Sequence, residues 1–151
     1  MGVVTASGGA AAALIDRAVE LGFRVPPLPA GLAADLCAVL PEYVAVGHLV
    51  DLTMAYYRRP KMVADALEAL DRSSAFDVLI LALTTNADPE ASAVADVVVG
   101  ARSRLRAPVV VVRMASEHLA PEALRRYREG GIPVFTMPED AIEGLSVVAA
   151  P

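Results

Sequence analysis

The run Phe76-Asp77-Val78-Leu79-Ile80-Leu81-Ala82-Leu83 is the strongest constraint on what this chain can fold into. A strand with one wet face alternates apolar and polar residues, and beyond Asp77 this one does not alternate. Both of its faces must be covered, as in an inner strand of a parallel sheet with helices on each side. Pro108-Val109-Val110-Val111-Val112-Arg113 repeats the pattern and is read as the next buried strand.

Between and around these runs the apolar residues recur at helical spacing. Helices are predicted over residues 10–21, 31–40, 60–70, 89–104 and 121–128, with a last one starting at Pro138. Gly22 and Gly130-Gly131 stand where helix C-caps belong, Asp88 or Asn86 can cap the helix at 89–104, and Pro60 suits a first turn. Val3-Val4, Phe23-Arg24-Val25 and Ile132-Pro133-Val134-Phe135 supply three further short strands. The stretch 43–53 fits neither period and is read as an extended connector ending in a polar turn. Strands alternating with helices predict one α/β domain over residues 1–151, a flavodoxin-like three-layer sandwich whose five parallel strands lie in the order 2-1-3-4-5.

With 56% hydrophobic residues in 151, the chain has ample material for one core. Eighteen acidic against thirteen basic residues leave a net charge of −5, which offers no general attraction to nucleic acid or anionic lipid. No stretch approaches the roughly 20 apolar residues of a membrane span, and Met1 is followed directly by a strand pattern rather than a leader. The expectation is a cytoplasmic protein with neither nucleic acid nor membrane as partner. The single Cys37, among Leu36, Val39 and Leu40, is expected to be a buried, inert thiol.

In such a sheet ligands bind beyond the carboxyl ends of the strands, at the switch in strand order. There the chain places Thr5-Ala6-Ser7-Gly8-Gly9-Ala10, an apolar strand ending in hydroxyls and paired glycines before a helix. The first amides of that helix are unpaired, and residues without a Cβ let an anion approach them. Thr5, Ser7, Gly8, Gly9 and Ala10 are therefore candidate phosphate-binding residues. The plainer alternative is a glycine turn that only packs helix against sheet. His48, Asp51, Thr53, Thr84, Thr85, Asn86 and Ser116 are expected on the same rim.

Other site classes fit poorly. G-x-x-x-x-G-K-[ST] is absent, the third glycine of a dinucleotide fingerprint is missing, and the strand at 23–25 has no terminal acid for a ribose. A phosphate-accepting receiver needs an acidic cluster after the first strand, where Thr5-Ala6-Ser7 stands. A flavin carrier would use the same glycine loop for its phosphate, yet Thr84-Thr85-Asn86-Ala87 and Met114-Ala115-Ser116-Glu117 bring no aromatic ring. His48 in a rim loop can touch phosphate or simply be solvated, and His118 reads as an exposed helix-start residue. No spacing of His, Cys and acids suggests a metal. Arg102, Arg104, Arg106, Arg125 and Arg126 read as solvated helix faces, with an interface to a partner as the alternative.

Val3-Val4-Thr5-Ala6-Ser7-Gly8-Gly9-Ala10, Val50-Asp51-Leu52-Thr53 and Gly131-Ile132-Pro133-Val134-Phe135 followed by Pro138-Glu139-Asp140-Ala141 resemble, in order and spacing, the CoA-ligase domain of NDP-forming acyl-CoA synthetases. That domain is similar to the C-terminal part of the succinyl-CoA synthetase β subunit. The resemblance implies a role in converting acyl-CoA, phosphate and NDP to acid, CoA and NTP through a phosphohistidine carried on another domain. It implies no catalytic residue and no cofactor on this domain alone, with phosphate, CoA and NDP or NTP belonging to the full enzyme. The implied partners are a CoA-binding domain, a phosphohistidine domain and an ATP-grasp domain, in the same or another chain, so the isolated chain is not expected to run the reaction. Two departures stand out: Gly47-His48-Leu49 replaces the usual Asn-Pro before Val50-Asp51, and Ala115-Ser116 replaces expected glycines. A non-catalytic small-ligand or interaction module on the same fold is the competing reading.

Overall fold

The apolar runs form the two central strands, β4 (Leu79–Leu83) and β5 (Val109–Arg113), and every residue of both is buried. The computed structural model describes residues 1–84 and 86–149. The remaining elements are β1 (Gly2–Thr5), α1 (Gly8–Glu20), α2 (Ala30–Val39), β2 (Ala45–Val46), β3 (Val50–Asp51), a 3-10 turn (Thr53–Tyr57), α3 (Lys61–Arg72), α4 (Glu90–Arg102), α5 (Pro121–Glu129), β6 (Val134–Phe135) and α6 (Pro138–Ala149).

The fold is α/β and flavodoxin-like, with a mostly parallel sheet, but the sheet has six strands in the order β2-β3-β1-β4-β5-β6 rather than five. The difference lies at one edge. Phe23-Arg24-Val25 is not a strand, and the place beside β1 goes to β3, with Val4 opposite Val50 and Thr5 opposite Asp51. β2 pairs with β3 antiparallel, so the expected connector is a short hairpin. Residues 23–25 instead run past the chain start, where the Met1 ammonium donates to the Arg24 carbonyl at 2.7 Å.

Alternate side chains of each inner strand serve two cores, as pleating requires. Val4, Leu79, Leu81, Leu83, Val109 and Val111 pack with α2, α3, α4 and α5. Val3, Ile80, Ala82, Val110 and Val112 pack with α1 and α6. Each such side chain contributes about 1.5–3 kcal/mol when fully buried. Gly22 (φ +83°) closes α1 and Gly131 (φ +66°) closes α5, in the left-handed conformation that glycine tolerates.

Two local expectations are corrected. Cys37 is exposed: Leu32 and Leu36, four residues apart, take the inward face of α2, which turns Cys37 and Val39 outward. Neither Asn86 nor Asp88 caps α4, whose N-cap position is Pro89. Asp88 caps α5 instead, accepting the Glu122 amide at 2.9 Å. The arginines are more than a solvated face. Arg104 pairs with Glu68, tying α4's exit to α3, and Arg126 pairs with Asp96 across α4 and α5.

Asp71 at the end of α3 is 6% exposed and accepts the amides of Arg106 (3.2 Å) and Ala107 (2.9 Å), which fixes the entry to β5. Burial pushes its pKa up, but the two amides and the Arg106 charge together hold it below the ordinary value. A carboxylate with a lowered folded pKa contributes stability above its unfolded pKa and loses it as pH falls through the folded one. Asp71→Asn is expected to cost about 1–3 kcal/mol at neutral pH. In urea titrations the gap between wild type and variant should close as pH falls below the ordinary aspartate range; a gap that does not change with pH would refute the assignment.

Candidate functional site

Because β3, β1, β4, β5 and β6 run parallel, their carboxyl ends meet at one edge, with Thr5 level with Ala82 and Leu83 level with Arg113. At the centre of this rim β1 turns into α1. Thr5 is fully buried, and its hydroxyl accepts the Ser7 amide at 3.0 Å while facing the carbonyls of Ser7 (3.0 Å) and Ala82 (3.2 Å). All of its bonding capacity goes to holding the turn. Ser7 is the N-cap, its hydroxyl accepting the Ala10 amide at 3.3 Å, and its carbonyl takes the Ala11 amide at 3.0 Å.

The amides of Gly8 and Gly9 have no partner among the described residues, and no acidic side chain occupies the first turn of α1. Both glycines are exposed. A Cβ on Gly8 would meet nothing within 4 Å, and one on Gly9 only the Ser7 hydroxyl at 4.0 Å. The turn is therefore not glycine-rich for the sake of internal packing, and two donors at the positive end of a helix of 13 residues face open space.

The neighbouring loops are braced by their own polar contacts. Asp51 accepts the Thr53 amide at 2.8 Å, which holds Thr53 in the left-handed region (φ +53°), an uncommon conformation for a β-branched residue. The Leu52 amide reaches back to the Thr5 carbonyl at 2.8 Å. Thr84 lies 3.4 Å from both the Tyr56 hydroxyl and the Met54 sulfur. Asp51, Thr53, Thr84, Asn86 and Ser116 thus stand on the rim with the glycine turn. His48 does not: it lies in the β2–β3 hairpin turn, at the amino end of β3. Thr85 lies outside the described residues.

Sequence reading gave Arg113 no part in the site. It is the last residue of β5 and is 2% exposed, with its guanidinium donating to the Asn86 side-chain oxygen (3.2 Å), the Asn86 carbonyl and the Ser116 carbonyl (3.3 Å). Among the described residues no carboxylate forms an ion pair with it. Burial pulls its pKa down, opposed by the charges available at Tyr127 and Asp88. Around it three buried polar atoms lack a partner: the Asn86 amide nitrogen, one Asp88 oxygen and the Tyr127 hydroxyl. The only hint in the sequence was an arginine closing a run of four valines.

Among the described residues no group of three or more His, Cys, Asp or Glu could hold a metal, and no helix is long and apolar enough to cross a membrane. An apolar depression of about 550 Å³, lined in part by Met1, Phe23, Pro26 and Leu145, lies by the chain start, away from the rim.

A mostly parallel sheet with helices on both faces and a bare helix N-terminus at its carboxyl edge defines the general class as a flavodoxin-like α/β domain. Known structures narrow it. The fold is similar to PH0766 of Pyrococcus horikoshii OT3, at TM-score 0.77 and 21% identity over 98% of this chain and 34% of that one. It is also similar to the dinucleotide-forming acetyl-coenzyme A synthetase 1 of Ca. Korarchaeum cryptofilum. The apo form gives TM-score 0.79 and 20% identity, and the complex with phosphate and ADP 0.79 and 21%. Each match covers 97% of this chain and 32% of the synthetase chain. No family model matches the sequence, and no curated protein matches it. The chain spans about a third of these larger proteins, and the synthetase resemblance read from the sequence is met at the level of fold.

Arg113 reaches three oxygens, and the two on Asn86 have no other partner among the described residues, so its loss strands them. Arg113→Met is expected to lower the unfolding free energy by about 2–4 kcal/mol in urea denaturation. Arg113→Lys should recover only part of this, since one ammonium cannot span the three oxygens. A Met variant as stable as the wild type would mean that these bonds do not hold the rim.

Proposed function

We propose that this chain is the phosphate-handling and docking domain of an NDP-forming acid–CoA ligase, with the amino end of α1 as its phosphoryl site. The observation that carries the reading is the pair of exposed amides at Gly8 and Gly9, in a helix start free of acids, on a fold shared with a third of a synthetase chain. A helix amino terminus stabilises a phosphate or phosphoryl dianion through fixed dipoles and donors, without supplying a nucleophile or a proton. In this reading Ser7 sets the helix start, Thr5 anchors the turn to β4 and Gly8 and Gly9 bind the anion. The phosphohistidine, the CoA site and the ATP-grasp module belong to partner domains that dock on the rim. The isolated chain then binds phosphate and does not turn over acyl-CoA.

Phosphate binding at such a site raises stability by RT ln(1 + [L]/Kd). A Kd on the order of 1–10 mM gives about 1–3 kcal/mol at roughly 100 mM phosphate. Gly9→Val is the control, since its branched side chain covers the amides while the protein leaves room for it. Wild type should gain more melting temperature from phosphate than the variant, and both should respond equally to sucrose, which acts by exclusion alone. Equal phosphate responses would reduce the glycine turn to a packing device and remove the physical basis of the reading.

A further inference from the structure

On the side of the rim served by α3, α4 and α5 lies a depression of about 560 Å³ lined by Tyr57, Arg58, Asn86, Ala87, Glu90 and Leu119. It is formed by different loops from those around the glycine turn: the end of the 3-10 turn, the β4–α4 loop and the segment before α5. Its wall is aromatic and rigid, since the Tyr57 ring stacks on the fully buried Tyr56 at 4.6 Å and 24°. Leu119, 43% exposed, adds a second apolar surface.

The charges around that wall are opposite and separate. Arg58 and Glu90 are both exposed, and neither side chain pairs with the other or with any other described residue. This differs from Arg104, Arg125 and Arg126, which are tied to acids. Behind the wall Arg113 takes both oxygens of Asn86, so the Asn86 amide nitrogen is left as a donor, 5% exposed as a residue and without an acceptor. The depression therefore offers a cation, a carboxylate and an apolar wall within one small volume.

We propose that this depression binds a free α-amino acid with an apolar or aromatic side chain. Arg58 takes the carboxylate, Glu90 takes the ammonium group, and the side chain lies on Tyr57 and Leu119. A zwitterion satisfies both charges at once, whereas a simple carboxylic acid leaves Glu90 facing its apolar body and an amine leaves Arg58 unmatched. The site is independent of the ligase reading, and phosphate at α1 neither requires nor excludes it.

The test is calorimetric titration of the chain with L-phenylalanine, 3-phenylpropionate and phenethylamine, which share one ring and differ in their charged groups. L-phenylalanine is expected to bind, with each of the other two weaker by about tenfold or more, as loss of a charge-assisted bond implies. Glu90→Gln should weaken L-phenylalanine by a similar factor and leave 3-phenylpropionate unchanged, while Arg58→Gln should weaken both. Both positions are exposed, so circular dichroism should show wild-type folding. Failure of L-phenylalanine to bind at about 10 mM, equal binding of 3-phenylpropionate, or an unchanged Glu90→Gln variant would each overturn the proposal.

Discussion

The burial of β4 and β5 on both faces is the constraint from which the rest follows. A strand that shows no face to water needs helices above and below, and crossovers of one hand then deliver parallel neighbours. Once the strands are parallel their carboxyl ends share one edge, so polar residues far apart in sequence become neighbours there. Thr5, Asp51, Thr84 and Arg113 come from four separate strand ends, and the register of the ladders sets Thr5 level with Asp51 and Ala82, with Arg113 one residue further along, level with Leu83.

How legible the fold was depended on how many residues each element had in which to display a period. The five-residue inner strands and the helices of nine residues or more could be read directly. β2 and β3 contribute two residues each, too few for an alternation to show, and their pairing is a tertiary choice. Phe23-Arg24-Val25 has strand composition but spends its backbone elsewhere, with Phe23 bonded to Ala18 and Arg24 to the chain start. Val50, fully buried, takes the place beside β1.

The site was legible in part for the same reason. A strand-glycine-helix junction carries its geometry in local sequence, because unpaired amides at a helix start are a property of the backbone. What Thr5 does there was not legible: a hydroxyl beside a glycine turn reads as a ligand donor, and only the proximity of Ala82 turns it into an anchor. His48 failed for a topological reason, since a hairpin reverses direction and carries its turn to the opposite end of β3. Asn86 and Asp88 were read as caps for the nearest helix, and both serve more distant partners, Arg113 and the Glu122 amide.

Arg113 shows why buried charge escapes sequence reading and matters to function. An arginine at the end of a valine strand looks like a solvent-facing terminus, and its burial follows only from the loops that close over it. A guanidinium removed from water costs several kcal/mol unless its donors are met, and here they are met by neutral oxygens rather than by a carboxylate. Neutral acceptors satisfy geometry, and the nearby Asp88 charge favours the cation. The guanidinium lies at the carboxyl end of β5, on the edge that also carries the exposed Gly8 and Gly9 amides.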